Sequence, residues 1–264
     1  MSSLQRLVEV GDGVYVATSR RYLTLSTVLL DGHRGAIVVD PAWDADELAA
    51  IPADLAGLGL TAVAGLVTHV HYDHVLWHPD LGDVRRWTSP WTAKEVVERR
   101  AEVLAPLDGD LSPELLELAA RLTPLPDLET QTQPPTYVVP WSGPELLCHQ
   151  HDAHAPAHLA VEMVAAKVLL AGDMLSDAEL PMPDDDDTTL EPYLAGLEAL
   201  APVVSRVGLL VPGHGTPTRD PMARLDADRR YLDAVLNGRP VDDPRLGYPD
   251  MAELHEDNLR RARA

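Results

Sequence analysis

Thr68-His69-Val70-His71-Tyr72-Asp73-His74 packs three imidazoles and a carboxylate into its last six residues. An apolar run, Leu60–Val67, leads directly into it and reads as a buried strand. Alternation at the strand end puts His69 and His71 on one side. Asp73 and His74 follow where the chain turns away, so they can face a second point. A solvated polar loop has no need of so many donors. Imidazole suits zinc or iron, and a carboxylate adds a harder ligand and a proton acceptor. The stretch therefore reads as a candidate metal site at the end of a strand.

The surrounding chain supplies layers to hold such a site. Leu7–Val10, Val14–Ala17, Leu25–Leu30 and Ala36–Val39 read as strands, with Gly11-Asp12-Gly13 and Asp31-Gly32 as tight turns. Asp44 can cap a helix with Glu47 in capping-box position, and that helix runs to about Ala56. Trp91–Leu104 and Ser112–Leu122 read as helices, the second opened by Ser112-Pro113. A proline-rich loop from Pro124 to Pro144 carries one short strand at Tyr137–Val139. Strands follow at Glu145–Gln150, Leu159–Val164, Val168–Ala171 and Val207–Val211. Helices follow at Thr189–Leu200 and Pro221–Leu236, and Met251–Ala264 reads as an exposed amphipathic tail. Strands then helices, twice over, predict a layered α/β sandwich of two similar halves. The expectation is one domain over residues 1–264, with a helical insertion near 90–135 and a helical tail near 250–264.

Composition narrows the function. The 264 residues carry 21 basic and 42 acidic side chains, a net charge of −21. Such a chain repels phosphate backbones, so nucleic acid is excluded as the expected partner and a small molecule is favoured. There is no Phe, so Leu, Val, Ala and a few Trp must fill the core. Cys148 is the only cysteine, which rules out an intramolecular disulfide and a Cys-rich zinc site. Its place in an apolar strand reads as core. Met1-Ser2-Ser3-Leu4-Gln5-Arg6 lacks the basic head and apolar run of a signal peptide, and no window reaches the length of a membrane span. The expected location is cytoplasmic and no membrane partner is expected. Oligomeric state is not legible.

His69-x-His71-x-Asp73-His74 resembles the signature of the metallo-β-lactamase superfamily. Four further segments extend the resemblance in the family's order: Val38-Val39-Asp40, Ala155-Pro156-Ala157-His158, Ala171-Gly172-Asp173 and Val211-Pro212-Gly213-His214-Gly215. Together they cover roughly residues 8–218. The resemblance implies an αββα four-layer sandwich with a two-metal site at the sheet edges. It implies two zinc ions, with iron or manganese as alternatives. Carried over by position, His69, His71 and His158 would hold one metal, Asp73, His74 and His214 the other, and Asp173 would bridge them. Asp40 and Thr68 would fix the orientation of the ligands. Two departures stand out: bulky Val75-Leu76-Trp77-His78 follows His74, and Ala157 replaces a glycine of the pattern.

Such a site can activate water at neutral pH and polarise a carbonyl oxygen. The expected reaction is attack of a metal-bound hydroxide on a small ester, thioester, lactone or amide, with Asp73 as the catalytic carboxylate. The competing readings are an iron-dependent oxidoreductase of the same fold and a phosphodiesterase. Trp77, His78, Trp87, Trp91 and the helices of residues 91–122 are candidates for the pocket wall. Four histidines crowd Cys148–His158. Of these, His158 is the expected ligand, His154 reads as either a group supporting the ligands or pocket rim, and His149 and His151 share a strand face and read as structural. Tyr72 can point away from the site and Tyr193 reads as packing. Asp184-Asp185-Asp186-Asp187 reads as a solvated run leading into a helix. His33 reads as exposed, and His255 lies in the tail.

Overall fold

A strand covered on both faces reads as a continuous apolar run. Leu25–Leu30 and Gly35–Val39 are such runs, and both lie inside a sheet. The protein is described by a computed structural model over residues 6–126, 135–183 and 189–263. One sheet has seven strands in sequence order: β1 (Val8–Gly11), β2 (Val14–Thr18), β3 (Leu25–Leu30), β4 (Gly35–Val39), β5 (Thr61–Leu66), β6 (Arg86–Thr88) and β7 (Thr123–Pro124). The first four pair antiparallel and the rest parallel. The second sheet runs β12 (Leu209–Pro212), β11 (Val168–Gly172), β10 (His158–Met163), β9 (Leu146–His151) and β8 (Thr136–Val138). Its single parallel pair joins β11 to β12.

Side-chain alternation sorts each strand between two cores. Leu25, Leu29, Ile37 and Val39 meet Leu146, Cys148, Leu159, Val161 and Leu170 between the sheets. Val28, Ala36 and Val38 face the other way, against Ile51 and Leu55 of helix α1 (Ala45–Gly57). Ala160, Leu169, Ala171 and Leu210 face α5 (Glu191–Val204) and α6 (Pro221–Leu236) on the far side. The order of layers is therefore αββα. Asp44 and Glu47 form the capping box that starts α1.

The segment after β6 carries α2 (Pro90–Glu98), α3 (Arg100–Leu104) and α4 (Pro113–Leu118). The continuous helix expected over Trp91–Leu104 is broken at Arg99, whose backbone leaves the helical region. β6 and β7 were not legible, being three and two residues long. The tail is not exposed as expected. It forms α7 (Met251–Arg261), which buries Met251, Leu254 and Asn258 against the second helical layer. Among the described residues no helix is long and apolar enough to cross a membrane. Asp184–Asp187 lie outside the described residues.

The two sheets are stitched where the site will lie. Leu159 N–H donates to the Thr68 carbonyl at 2.9 Å, and Leu25 N–H donates to the Gly213 carbonyl at 2.7 Å. The ends of β4, β5, β11 and β12 meet along this edge and deliver Asp40, Thr68, Asp173 and His214 to one place.

Candidate metal centre

The tip of β5 is fixed first. Asp40, just past β4, accepts the Thr68 N–H at 2.9 Å and the Thr68 hydroxyl at 2.6 Å. With its proton given to Asp40, the Thr68 oxygen accepts from His69 Nδ1 at 2.9 Å. His69 Nε2 is then left with a lone pair, which faces His71 Nδ1 at 3.0 Å and Asp173 Oδ2 at 3.4 Å. His154 is set the same way. Its Nδ1 donates to the Met182 carbonyl at 2.7 Å, and its Nε2 faces His71 Nδ1 at 3.0 Å and Asp173 Oδ2 at 3.5 Å. His214 Nδ1 lies 3.0 Å from the Tyr22 carbonyl, and its Nε2 lies 3.2 Å from Asp173 Oδ2 and 3.4 Å from Asp73 Oδ2. His74 Nε2 lies 3.2 Å from Asp173 Oδ1 and 3.4 Å from Asp73 Oδ2.

Two groups of donors therefore converge. His69, His71, His154 and Asp173 form one; Asp73, His74 and His214 form another. Asp173 touches both through its two oxygens.

The donor set fits a pair of metal ions. Zinc–ligand bonds of this kind set neighbouring ligand atoms about 3.3 Å apart on a tetrahedron. The contacts in the two groups span 3.0–3.5 Å. Two imidazole nitrogens with lone pairs crowd His71 Nδ1, and at most one proton can lie between three such atoms. His74 Nε2 and Asp173 Oδ1 are buried and face each other at 3.2 Å without the geometry of a hydrogen bond. Unpaired polar atoms in a dry site call for an ion.

The electrostatics agree. Burial first, then His74, push the His69 imidazole well below its usual range. Burial, the largest single influence, would do the same to His74 and His214, yet the nearby carboxylates together outweigh it, Asp173 foremost. Asp73 and Asp40 act beside His74, Glu179 and Asp73 beside His214, and both rings are lifted well above. Asp73 and Asp173, which burial alone would raise, are held well below the carboxylate range by the same imidazoles. The carboxylates thus draw positive charge to their centre.

Glycines make room at two places. Gly172 has φ +54, and a side chain there would run into the His158 ring. A side chain at Gly213 would strike the Asp173 carboxylate.

His158 and His154 exchange the places expected of them. His158 opens β10 and pairs in register with His151, so the two rings lie together. Its Nε2 accepts the Asp173 N–H at 3.2 Å and its Nδ1 faces His151 Nε2 at 3.2 Å. It therefore stands behind Asp173 rather than among the converging donors. His154 sits in the loop between β9 and β10, and this loop carries it over the sheet edge into the first group.

Other expectations also shift. Trp77 is buried beside α1, under the Arg86 guanidinium, and donates from Nε1 to the Gly82 carbonyl. His78 accepts the Asp80 N–H at the start of a 3-10 turn. Trp87 is in the inter-sheet core. Neither Trp77, His78 nor Trp87 lines the cleft over the donors, whereas Trp91 and Tyr72 do. That cleft holds about 990 Å³, with an aromatic run of Tyr22, Trp43 and Tyr72 on one side. Glu179 was not foreseen. It lies 3.6 Å from His214 Nδ1, and burial raises its carboxyl to about 7. A lone Glu in an irregular stretch carries no spacing signal. Cys148 is fully buried between the sheets, and burial pushes its thiol up. His149 pairs with Glu162 at 2.8 Å and His255 meets Tyr231 at 3.1 Å. Tyr193 is packed in the second helical layer and His33 is exposed.

The fold is shared with solved structures of low identity. A sec-alkyl sulfatase double mutant matches with a TM-score of 0.64 at 16% identity, covering 89% of this chain and 42% of that one. The chain thus spans less than half the length of the sulfatase. A beta-lactamase domain protein from Burkholderia ambifaria matches with a TM-score of 0.63 at 19% identity, covering 99% and 87%. A metallo-beta-lactamase from Pontibacter korlensis matches with a TM-score of 0.59 at 18% identity, covering 84% and 95%. A search of curated proteins returns no match to this sequence. Residues 22–236 match the metallo-beta-lactamase superfamily as a sequence family, and with this donor set on this αββα frame the chain belongs to that superfamily.

Proposed function

We propose that the protein is a hydrolase dependent on two zinc ions, which cleaves a small ester, thioester, lactone or amide. The convergence of His69, His71 and His154 with Asp173 carries this reading, because their nitrogens and oxygen crowd to ligand spacing. These residues would hold one ion. Asp73, His74 and His214 would hold the other, and Asp173 would serve both. Zinc held there supplies Lewis acidity and lowers the pKa of water to about 7.

The chain's own groups then have defined tasks. Asp73 lines the cleft, and its Oδ2 is engaged by His74 and His214. Oδ1 is the atom that orients the attacking water and takes its proton. Asp40 holds Thr68 and, through it, His69 in the tautomer that turns Nε2 inward. The Met182 carbonyl does the same for His154. The aromatic wall borders the floor of the cleft on one side and lowers its polarity there.

Metal analysis of protein purified without added metal, beside a screen of lactones, thioesters, β-lactams and phosphodiesters, tests the reading. Zinc together with acyl hydrolysis that collapses in Asp73→Ala is expected. Iron accompanied by oxygen uptake overturns it, as does activity unchanged in Asp73→Ala.

A further inference from the structure

We infer that the cleft selects an uncharged acyl compound carrying an aromatic or bulky apolar group, and discriminates against anionic substrates. This rests on the hydrolase reading and specifies its substrate class. Two features of the cleft carry it.

The first is the wall. Tyr22 and Trp43 rings lie 5.7 Å apart, and Trp43 and Tyr72 rings 5.4 Å apart. The run descends from Tyr22, 52% exposed at the mouth, to Tyr72, which adjoins Asp73. Trp91, 38% exposed, stands in the same lining, as do Val70, Met182 and Met251. Trp43 is itself buried and backs the wall, so the faces open to a ligand are those of Tyr22, half-buried Tyr72 and Trp91. Beside a polar floor, such faces are where an apolar group gains from leaving water.

The second is the charge of the rim. Away from the donor groups and Glu179, the lining carries Glu95, Glu102 and Asp250, and among the described lining residues Arg99 is the only Arg or Lys. Arg99 is already engaged, Nη1 with Glu95 at 2.8 Å and Nε with Glu102 at 2.7 Å, so an anion has to compete with two carboxylates for it. Arg21, stacked over Trp43, is likewise tied to Asp44 at 2.8 Å and Asp110 at 2.6 Å. An anionic group entering past Tyr22 and Trp91 therefore meets carboxylates with no free guanidinium to receive it. The long-range field adds to this. Two divalent ions on the floor would cancel only four of the 21 excess negative charges of the chain.

A matched pair of esters tests the inference on the zinc-loaded protein: 4-nitrophenyl phenylacetate, and the same ester with a carboxylate on the phenyl ring. Both release 4-nitrophenolate, so only the acyl charge differs. At about 0.01 M ionic strength, where charges act over about 30 Å, kcat/KM is expected to favour the neutral ester by about tenfold or more. The gap should narrow in about 1 M salt. It should also narrow in the double variant Glu95→Gln, Glu102→Gln, which frees Arg99. Equal rates at low salt, or a preference for the anionic ester, overturn the inference and leave the hydrolase reading standing. If neither ester is cleaved, titration calorimetry with phenylacetone and its ring-carboxylated form decides. Tighter binding of the neutral ketone then sustains the selection, and the hydrolase reading is decided by its own screen of lactones, thioesters and β-lactams. Equal or tighter binding of the anion overturns the selection.

Discussion

His154 and His158 are four residues apart, and only their backbone settings separate them. His158 is fixed by strand pairing beside His151, and its Nε2 is spent on the Asp173 N–H. His154 rides a loop, so its ring can reach over the sheet edge. Replacing His154 with Ala removes one of four donors, and bound zinc should fall toward one ion per chain by metal analysis. His158→Ala should keep both ions and instead lose about 1–3 kcal/mol in denaturant unfolding, since it leaves a buried N–H unpaired. The resemblance to the superfamily's motifs points to His69, His71, Asp73, His74, Asp173 and His214, and the structure brings these six together as candidate donors. The sequence could not separate these two histidines, because both stand near a Pro and strand register is a tertiary fact. The partner His151 offers a pH test. Burial, with the nearby His154 and His149 adding to it, lowers its imidazole to about 3. It is neutral when folded, while the unfolded chain takes up a proton below about 6.5. Its contribution is therefore full above that pH and is lost as pH falls from about 6.5 toward 3. With metal loading matched, moving from pH 7 to pH 5 should cost the parent about 2 kcal/mol more than His151→Gln. An equal cost in both proteins would show that His151 does not carry this linkage.

Among the elements, α7 has the least expected role. Its moment marked an amphipathic helix, but nothing in the tail said what its apolar side would meet. It reaches back to the stretch that orients His154. Asn258 Nδ2 donates to the Pro181 carbonyl at 2.7 Å, and the Leu180 N–H donates to Met251 Sδ at 3.2 Å. The next carbonyl along, Met182, accepts His154 Nδ1. Asn258→Ala should thus cost about 1–3 kcal/mol of stability and also weaken zinc binding, read by competition with a chromophoric chelator. Leu254→Ala is the control. It removes apolar packing of α7 at a stability cost of about 2–4 kcal/mol, without touching Pro181. If both variants bind zinc alike, α7 only packs. The interior strands were legible because runs buried on both faces leave little choice. β6 and β7 were not, because two or three residues carry no period, and their place is given by the parallel pairing of β5 through β7. The break at Arg99 was equally silent. Trp91–Leu104 keeps helical spacing through a residue whose backbone, at φ −121 and ψ 22, does not.

At the scale of the molecule, the chain stores carboxylates and imidazoles in one dry place at the joint of its two sheets. The charge of −21 gives no hint of this, since it counts surface and site together. Chelation should therefore be felt globally. An ion at about a thousand times its dissociation constant stabilises by about 4 kcal/mol, which for a chain of this size is roughly 8–16 °C in Tm by calorimetry. An unchanged Tm after complete metal removal would deny the site its place in the fold. Protons report the same coupling more sharply. Burial is the largest single influence on His74 and His214, but Asp173 and the other nearby carboxylates together outweigh it and lift both well above the usual imidazole range. Without metal both rings are thereby biased toward the charged form. A ligand nitrogen must be bare, so zinc binding has to expel these protons. Calorimetric titrations of zinc into metal-free protein, in buffers of different ionisation enthalpy, should show about two protons released near pH 7. Log affinity should then fall by about two for each unit the pH is lowered. Release close to zero would mean that the rings are already neutral, and that the carboxylates do not set the charge of the centre.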